Sequence, residues 1–313
     1  RGSRKRRRDA SRLIDGRGVV MFLQQAPQFF VSGVTSGSIY ALIALGFCLI
    51  QNATGLVNIA QGEIVMLGAM VMATLHQGMG LPMPAALALA ICAGAGAGLL
   101  LEWGPIRRSR SRDVLTLVLI TVGMSITYRG AAMEIWGKGA RSLAPLGGDN
   151  PILFMRAAIL PQALWILGIS SATVALLYFF FQRTLTGKAM RAAADNPTGA
   201  VLIGISVHRI VALAFGLSGA LGALAGILVA PLAGMSYDAG LMYALKGFAA
   251  AILGGYGSTL GAVVGGLLLG ILEAMGAGFI SSAYKDAIAF VILLGILFVR
   301  PSGLFGSAQA RRL

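Results

Sequence analysis

The chain alternates between long apolar runs and short polar segments. A helix needs roughly 20 apolar residues to cross the hydrocarbon core of a bilayer. Eight runs are assigned to such spans: Gln28–Ile50, Leu56–Leu75, Pro82–Trp103, Val114–Trp136, Leu160–Phe181, Ile210–Ala230, Leu260–Gly278 and Ala287–Val299. The pattern therefore predicts an all-α polytopic membrane protein with about eight transmembrane helices.

One further apolar run, Met242–Leu253, is too short to cross a bilayer. The turn signal Gly254–Ser258 follows it directly. Short, glycine-interrupted segments occur at membrane depth where protein surrounds them. We therefore expect a broken or re-entrant half-helix beside the eight spans.

Composition excludes an ordinary soluble domain. The 313 residues are 57% hydrophobic and 12% charged, with a mean hydropathy of +0.82, whereas soluble domains carry roughly 25% charged residues. The net charge is +14, but the basic residues after position 20 lie mostly between apolar runs. This is the distribution of positive-inside loops, so we expect no nucleic-acid partner.

Charge also divides the chain into segments. Residues 1–20 hold eight basic and two acidic residues and predict a basic leader. Because Met21 opens the apolar sequence, we favour a start at or near Met21 and a leader that is not native. Residues 21–306 predict the transmembrane domain, and 307–313 a short basic tail.

Eleven of the 17 basic residues after position 20 fall on one side of the membrane if the spans alternate, and that side should be cytoplasmic. This puts the N-terminus outside, in conflict with the basic leader.

Polar residues interrupt the second span at Asn58, Gln61 and Glu63. If the segment is helical from Gly55, Glu63 lies ~12 Å deeper, close to the bilayer midplane. A carboxylate at that depth must be paired or face a polar cavity. The pattern indicates a translocation path or the broken helix that shapes it; the alternative is a buried helix end satisfied by internal hydrogen bonds.

Other polar residues in the apolar runs are weaker candidates for the same path. Glu273 lies in the Leu260–Gly278 run, and Tyr40 lies on one face of the first. Either residue lines the path or makes a structural contact between helices. Arg129 lies toward the outer end of its span, where we expect its side chain to reach the interface.

The longest polar segment on the cytoplasmic side is 183–209. Lys188–Ala194 predicts a short amphipathic helix, which Asn196-Pro197 should end, and Thr198 should cap the next turn. The exposed apolar residues that follow favour a docking surface for a partner protein; the alternative is that they pack back on the bundle. Candidate docking residues are Lys188, Arg191, Asp195, Asn196, Val201, Leu202 and Ile203.

No motif for enzymatic chemistry is present. The chain contains no HExxH, GxSxG, CxxC or Walker A sequence, and neither Cys48 nor Cys92 stands at metal-ligand spacing. We therefore expect no catalytic residues, no metal and no cofactor, and no hydrolysis of ATP by this chain alone.

Several blocks of sequence nevertheless point to a family. The stretches Gly37–Met70, Arg191–Leu228 and Leu245–Ala274, followed by Ala283–Gly306, resemble the permease of branched-chain amino-acid ABC importers of the LivH type. The resemblance covers about residues 22–306, and its blocks occur in the same order along the chain as in that family.

The resemblance implies a multi-pass permease in a bacterial inner membrane, surrounded by membrane lipid. Its partners would be a second permease subunit, two cytoplasmic ATP-binding subunits and a periplasmic or extracellular solute-binding protein. The docking loop, residues 183–209, would couple ATP hydrolysis to transport. The half-helices would lie around Asn58–Glu63 and Gly254–Ser258. Urea, short amides or other small organic solutes are alternative cargoes; a stand-alone channel or secondary carrier is the alternative of another class.

Overall fold

A computed structural model describes residues 16–110, 113–148, 150–154, 157–279 and 285–306. Most of the expected leader, residues 1–15, and the expected tail, 307–313, lie outside these ranges. Residues 16–20 belong to the first helix.

Eleven helices lie within the described ranges. They are α1 Gly16–Thr54, α2 Gln61–Ala73, α3 Met83–Leu101, α4 Val114–Trp136, α5 Pro161–Arg183, α6 Leu185–Asp195, α7 Pro197–Leu202, α8 Val207–Ala233, α9 Gly240–Gly254, α10 Thr259–Phe279 and α11 Lys285–Val299. One turn of π-helix follows α2 and another follows α3. A hairpin of two short strands, β1 Ile152–Phe154 and β2 Ala157–Ile159, was not expected and lies between α4 and α5.

Six helices in the described ranges are long and apolar enough to cross a membrane. They correspond to six of the eight expected spans. The other two, Leu56–Leu75 and Ala287–Val299, are represented by shorter helices of 13 and 15 residues, α2 and α11. The count of eight is therefore not confirmed, whereas the expected half-span is present as the short apolar helix α9.

Glycine faces bring the central helices into backbone contact. α1 and α8 are the most buried of the six long helices, and α4 and α5 the least. The backbone of Gly98 on α3 lies against Phe215 of α8, and Gly226 of α8 lies against Val65 of α2. Gly270 of α10 meets Gly37 of α1 in the same way. Since apolar burial gains little within lipid, such close backbone approach is the main source of helix association.

Two parts of the chain have the same architecture in opposite orientation. A long buried helix (α1 or α8) leads through a six-residue link, 55–60 or 234–239, into a short helix (α2 or α9). Each link opens with a glycine in the left-handed region, Gly55 at φ 73° and Gly234 at φ 66°, where a side chain would be strained. α8 runs antiparallel to α1, since Ala53 packs near Ile210 while Gly46 lies beside Ser218.

This inverted arrangement is typical of transporters built from repeats. It corrects one expectation, because the second broken region is the link 234–239 before α9. The expected position, Gly254–Ser258, is instead the turn that joins α9 to α10. Gly255 and Gly257 in this turn both have positive φ, which explains why the sequence predicts a break there.

Candidate functional site

The link before α2 is ordered by its own polar groups. Asn58 is fully buried; its Oδ1 accepts from the backbone N–H of Ala60 at 3.1 Å, and its carbonyl accepts from that of Gln61 at 3.2 Å. The backbone N–H of Ile59 donates to Thr121 Oγ1 on α4 at 3.1 Å. These bonds hold a non-helical segment inside the bundle, while Asn58 Nδ2 lacks a partner among the described residues.

Gln61 links the start of α2 to the two long central helices, α1 and α8, through hydrogen bonds. Its Nε2 donates to the carbonyl of Ser218 on α8 at 3.0 Å. Ser218 Oγ in turn lies 2.8 Å from both Gln61 Oε1 and the carbonyl of Gly46 on α1. The Gln61 side chain is therefore a fixed, buried crosslink halfway along α8.

Glu63 is paired with helix α4. It is 1% exposed, and its Oε1 lies 2.5 Å from Arg129 Nη2 and accepts from Ser125 Oγ at 3.1 Å. Arg129, which was expected to reach the interface, pairs instead with this buried carboxylate, while 31% of its side chain stays exposed. Glu63 Oε2 and Arg129 Nε remain buried without a hydrogen-bond partner in the described ranges.

The first turns of α2 and α9 meet beside Glu63. The backbones of Gly62 and Gly240 approach so closely that neither position has room for a Cβ atom. A Cβ at Gly240 would also lie 2.8 Å from Glu63 Oε2. Helix N-termini carry partial positive charge, so two such ends and an unpartnered carboxylate oxygen converge inside the bundle. In transporters, the N-termini of half-helices point at the anionic groups of solutes.

Tyr40 and Glu273 lie in a second polar cluster. Glu273 is 1% exposed, and its Oε1 binds Lys246 Nζ at 2.8 Å and Lys285 Nζ at 3.0 Å. Lys246 also contacts Asp286 Oδ1 at 2.7 Å and lies 5.6 Å from the centroid of the Tyr40 ring. The cluster joins α1, α9, α10 and α11, and two carboxylates balance two ammonium groups.

We expect Lys246→Met to destabilise the fold by about 2 kcal/mol. Breaking a buried ion pair costs ~3–5 kcal/mol, but Lys285 still neutralises Glu273 in this variant. Lys285→Met should cost less than about 1 kcal/mol, because the Lys285 side chain is 44% exposed. Thermal unfolding of the two purified variants measures both effects, and an equal loss in both would contradict the central role of Lys246.

The polar segment 183–209 forms two short helices on the surface, α6 and α7. α6 buries Met190 and Ala193 against Ile210 and Ala214 of α8. Asn196, rather than Thr198 as expected, caps α7, since its Oδ1 accepts from Gly199 N at 2.9 Å. Lys188, Arg191 and Asp195 are exposed. The apolar triplet is exposed, with Val201 58%, Leu202 82% and Ile203 74% accessible.

The five expected path residues thus fall into two groups. Asn58, Gln61 and Glu63 lie together at the break before α2, while Tyr40 and Glu273 lie in the lysine cluster. Lys246 and the partner role of Arg129 were not predicted from the sequence. A signal was available for Lys246, since it is the one charged residue in the sequence of α9.

Fold and site together define a polytopic membrane protein with two inverted half-helices, a transporter architecture. Residues 29–297 match the family model described as branched-chain amino acid transport system, permease component, so the chain belongs to that permease family. It is 32% identical to the high-affinity branched-chain amino acid permease LivH of Escherichia coli K12, over 93% of this chain and 98% of the relative. It is 33% identical, over the same shares, to BraD of Pseudomonas aeruginosa.

Two further similarities cover less of the chain or have lower sequence identity. Identity to the ribose import permease RbsC of E. coli K12 is 34%, but over 44% of each chain. A solved structure of PsaBC from Streptococcus pneumoniae in complex with Fab matches with a TM-score of 0.52 and 11% identity. That match covers 94% of this chain and 98% of the other; at such identity it shows the fold alone.

Proposed function

We propose that this chain is the permease subunit of an ATP-binding-cassette importer for branched-chain amino acids in a bacterial inner membrane. It pairs with a second permease, two cytoplasmic ATP-binding subunits carry out the hydrolysis, and a solute-binding protein delivers the amino acid from outside. The observation that carries the proposal is the match along nearly the whole chain to permeases of that transport system. The convergent half-helices α2 and α9 add independent support.

The proposed path runs beside the meeting point of α2 and α9, where the two backbones are in contact in this conformation. The carboxylate of an amino acid is attracted by the two helix N-termini, and its ammonium group by Glu63, whose Oε2 has no partner in the described ranges. The amino acid is neutral overall, so the path needs few charges. Asn58 and Gln61 shape this region, and Tyr40 and Glu273 lie on the α9–α10 side of the same path.

The docking loop transmits the closure of the ATP-binding subunits to the bundle. α6 and α7 present exposed side chains, while their buried faces pack on α8. A push on these helices therefore reaches α8 directly and, through Gln61 and Ser218, the break before α2. Alternating access follows as a tilt of packed helices, without a high-affinity solute site in the membrane.

Leu202→Asp should abolish docking and lower ATP-driven uptake at least tenfold. The side chain is 82% exposed, so the permease itself should fold normally, whereas a charge at the centre of an apolar interface is costly. Ser206→Asp is the matched control, because it adds the same charge to the same exposed loop outside the apolar triplet. Co-purification of the ATP-binding subunits and uptake are measured for both; normal uptake by Leu202→Asp would refute docking through this triplet.

Purification from native membrane tests the proposed assembly. When the chain is extracted in mild detergent and purified, a second permease and two ATP-binding subunits should co-purify with it. Mass spectrometry identifies them. Recovery of this chain alone, still transporting in liposomes without ATP, would refute the importer and support a channel or secondary carrier.

A further inference from the structure

A cavity lies at the end of the bundle that carries the segment 183–209. Its volume is about 290 Å³, and it is lined by the C-terminal end of α1, the π-helical turn after α3 and the first turns of α4 and α8. Pockets for drug-sized ligands begin near ~300 Å³, so this one suits a single small molecule. It lies apart from the break before α2, and none of the five expected path residues lines it.

A buried carboxylate lines this cavity. Glu102 is 3% exposed, and its Oε2 is buried with no hydrogen-bond partner among the described residues. A buried charge without a partner is costly, and such a group in a native structure calls for a specific explanation, such as a functional role or a bound water or ion. A positively charged hydrogen-bond donor, such as an ammonium group, would complete this carboxylate.

Arg107 supplies positive charge to the same cavity, and His208 also lines it. No ion pair within 4.0 Å joins Arg107 to Glu102 in the described ranges. The guanidinium and the carboxylate are therefore farther apart than the partners of a salt bridge. The remaining wall includes the aliphatic side chains of Leu56, Leu117 and Val211.

We propose that this cavity binds the free zwitterion of an aliphatic amino acid on the side where the importer releases it. The ammonium group donates to Glu102, the carboxylate accepts from Arg107, and the side chain lies against Leu56 and Leu117. The identity of the amino acid and the direction of release rest on the function proposed above. An anionic lipid fits less well, because Glu102 would repel its phosphate.

The test uses the complete importer without its solute-binding protein, so that binding reports on the membrane complex. Radiolabelled leucine should bind weakly, as expected of a release site, and should be displaced by excess unlabelled leucine. Isopentylamine lacks the carboxylate and 4-methylpentanoate lacks the ammonium group, so each should displace it at least tenfold less well. This comparison uses unmodified protein and does not depend on the folding of any variant.

Two variants and a control locate the binding. Glu102→Gln and Arg107→Gln should each weaken leucine binding at least tenfold; Arg107 is exposed, so its replacement should not disturb folding. Arg108→Gln, which removes an exposed charge beside the cavity, should leave binding unchanged. Absence of leucine binding in a complex that still imports leucine with ATP, or full binding by both variants, would overturn the inference while leaving the importer intact. Absence of ATP-driven leucine uptake in the unmodified importer would instead refute the proposed function.

Discussion

Arg129→Met should destabilise the fold by about 3 kcal/mol, one of the two largest effects expected. The substitution leaves Glu63 1% exposed without its counter-charge, and breaking a buried pair costs ~3–5 kcal/mol. We expect the lower end of that range because 31% of the Arg129 side chain is exposed. Thermal unfolding of the purified permease should show the loss, together with a lower yield of folded protein.

A second substitution separates charge from packing. Glu63→Gln in the Arg129→Met background removes the unpaired charge and retains an acceptor for Ser125, so most of the lost stability should return. Glu134→Gln on the same helix is the control, since Glu134 is exposed and its loss should cost less than about 0.5 kcal/mol. A double variant that is as unstable as Arg129→Met would show that the arginine stem, not the ion pair, supports this region.

Gly98→Ala should cost about 2–3 kcal/mol, although it adds one methyl group. A Cβ at Gly98 would overlap the backbone oxygen of Phe215 on α8, and a backbone atom cannot move aside as a side chain can. α3 and α8 would have to separate, with the strain typical of overpacking. The measurement is the unfolding midpoint in detergent, together with the fraction of protein that remains monodisperse.

Gly96 supplies the matched control two residues earlier on α3. It is exposed, and no atom lies within 4 Å of a Cβ built there. Gly96→Ala should therefore be neutral or slightly stabilising, since alanine favours helix by up to about 1 kcal/mol over glycine. Equal destabilisation by both substitutions would mean that glycine acts through helix flexibility, not through contact with α8.

The sequence predicted the parts of the fold that depend on local hydrophobicity. The six long helices were predicted from runs of apolar residues. The short helix α9 was predicted as a half-span because its apolar run is too short to cross a bilayer. Asn58 and Glu63 marked the first broken helix, because polar groups at membrane depth require partners. The break at Asn196-Pro197 between α6 and α7 followed from the effect of proline on the residue before it.

The remainder depends on contacts between distant segments. The second break was assigned to Gly254–Ser258 because glycine is a strong local signal, whereas the true link, 234–239, is recognisable only beside its counterpart 55–60. Arg129 was expected at the interface because its partner, 66 residues away in sequence, is invisible to local patterns. The cavity around Glu102 likewise combines four segments that only the folded chain brings together.

Uptake of labelled leucine into liposomes tests the central claim most directly. Liposomes that contain this chain with its partner permease and ATP-binding subunits are supplied with the binding protein. The account predicts leucine uptake that requires ATP, is suppressed by excess isoleucine and valine, and is unaffected by urea. Leucine flux through this chain alone without ATP, or ATP-driven uptake of urea in place of leucine, would contradict it.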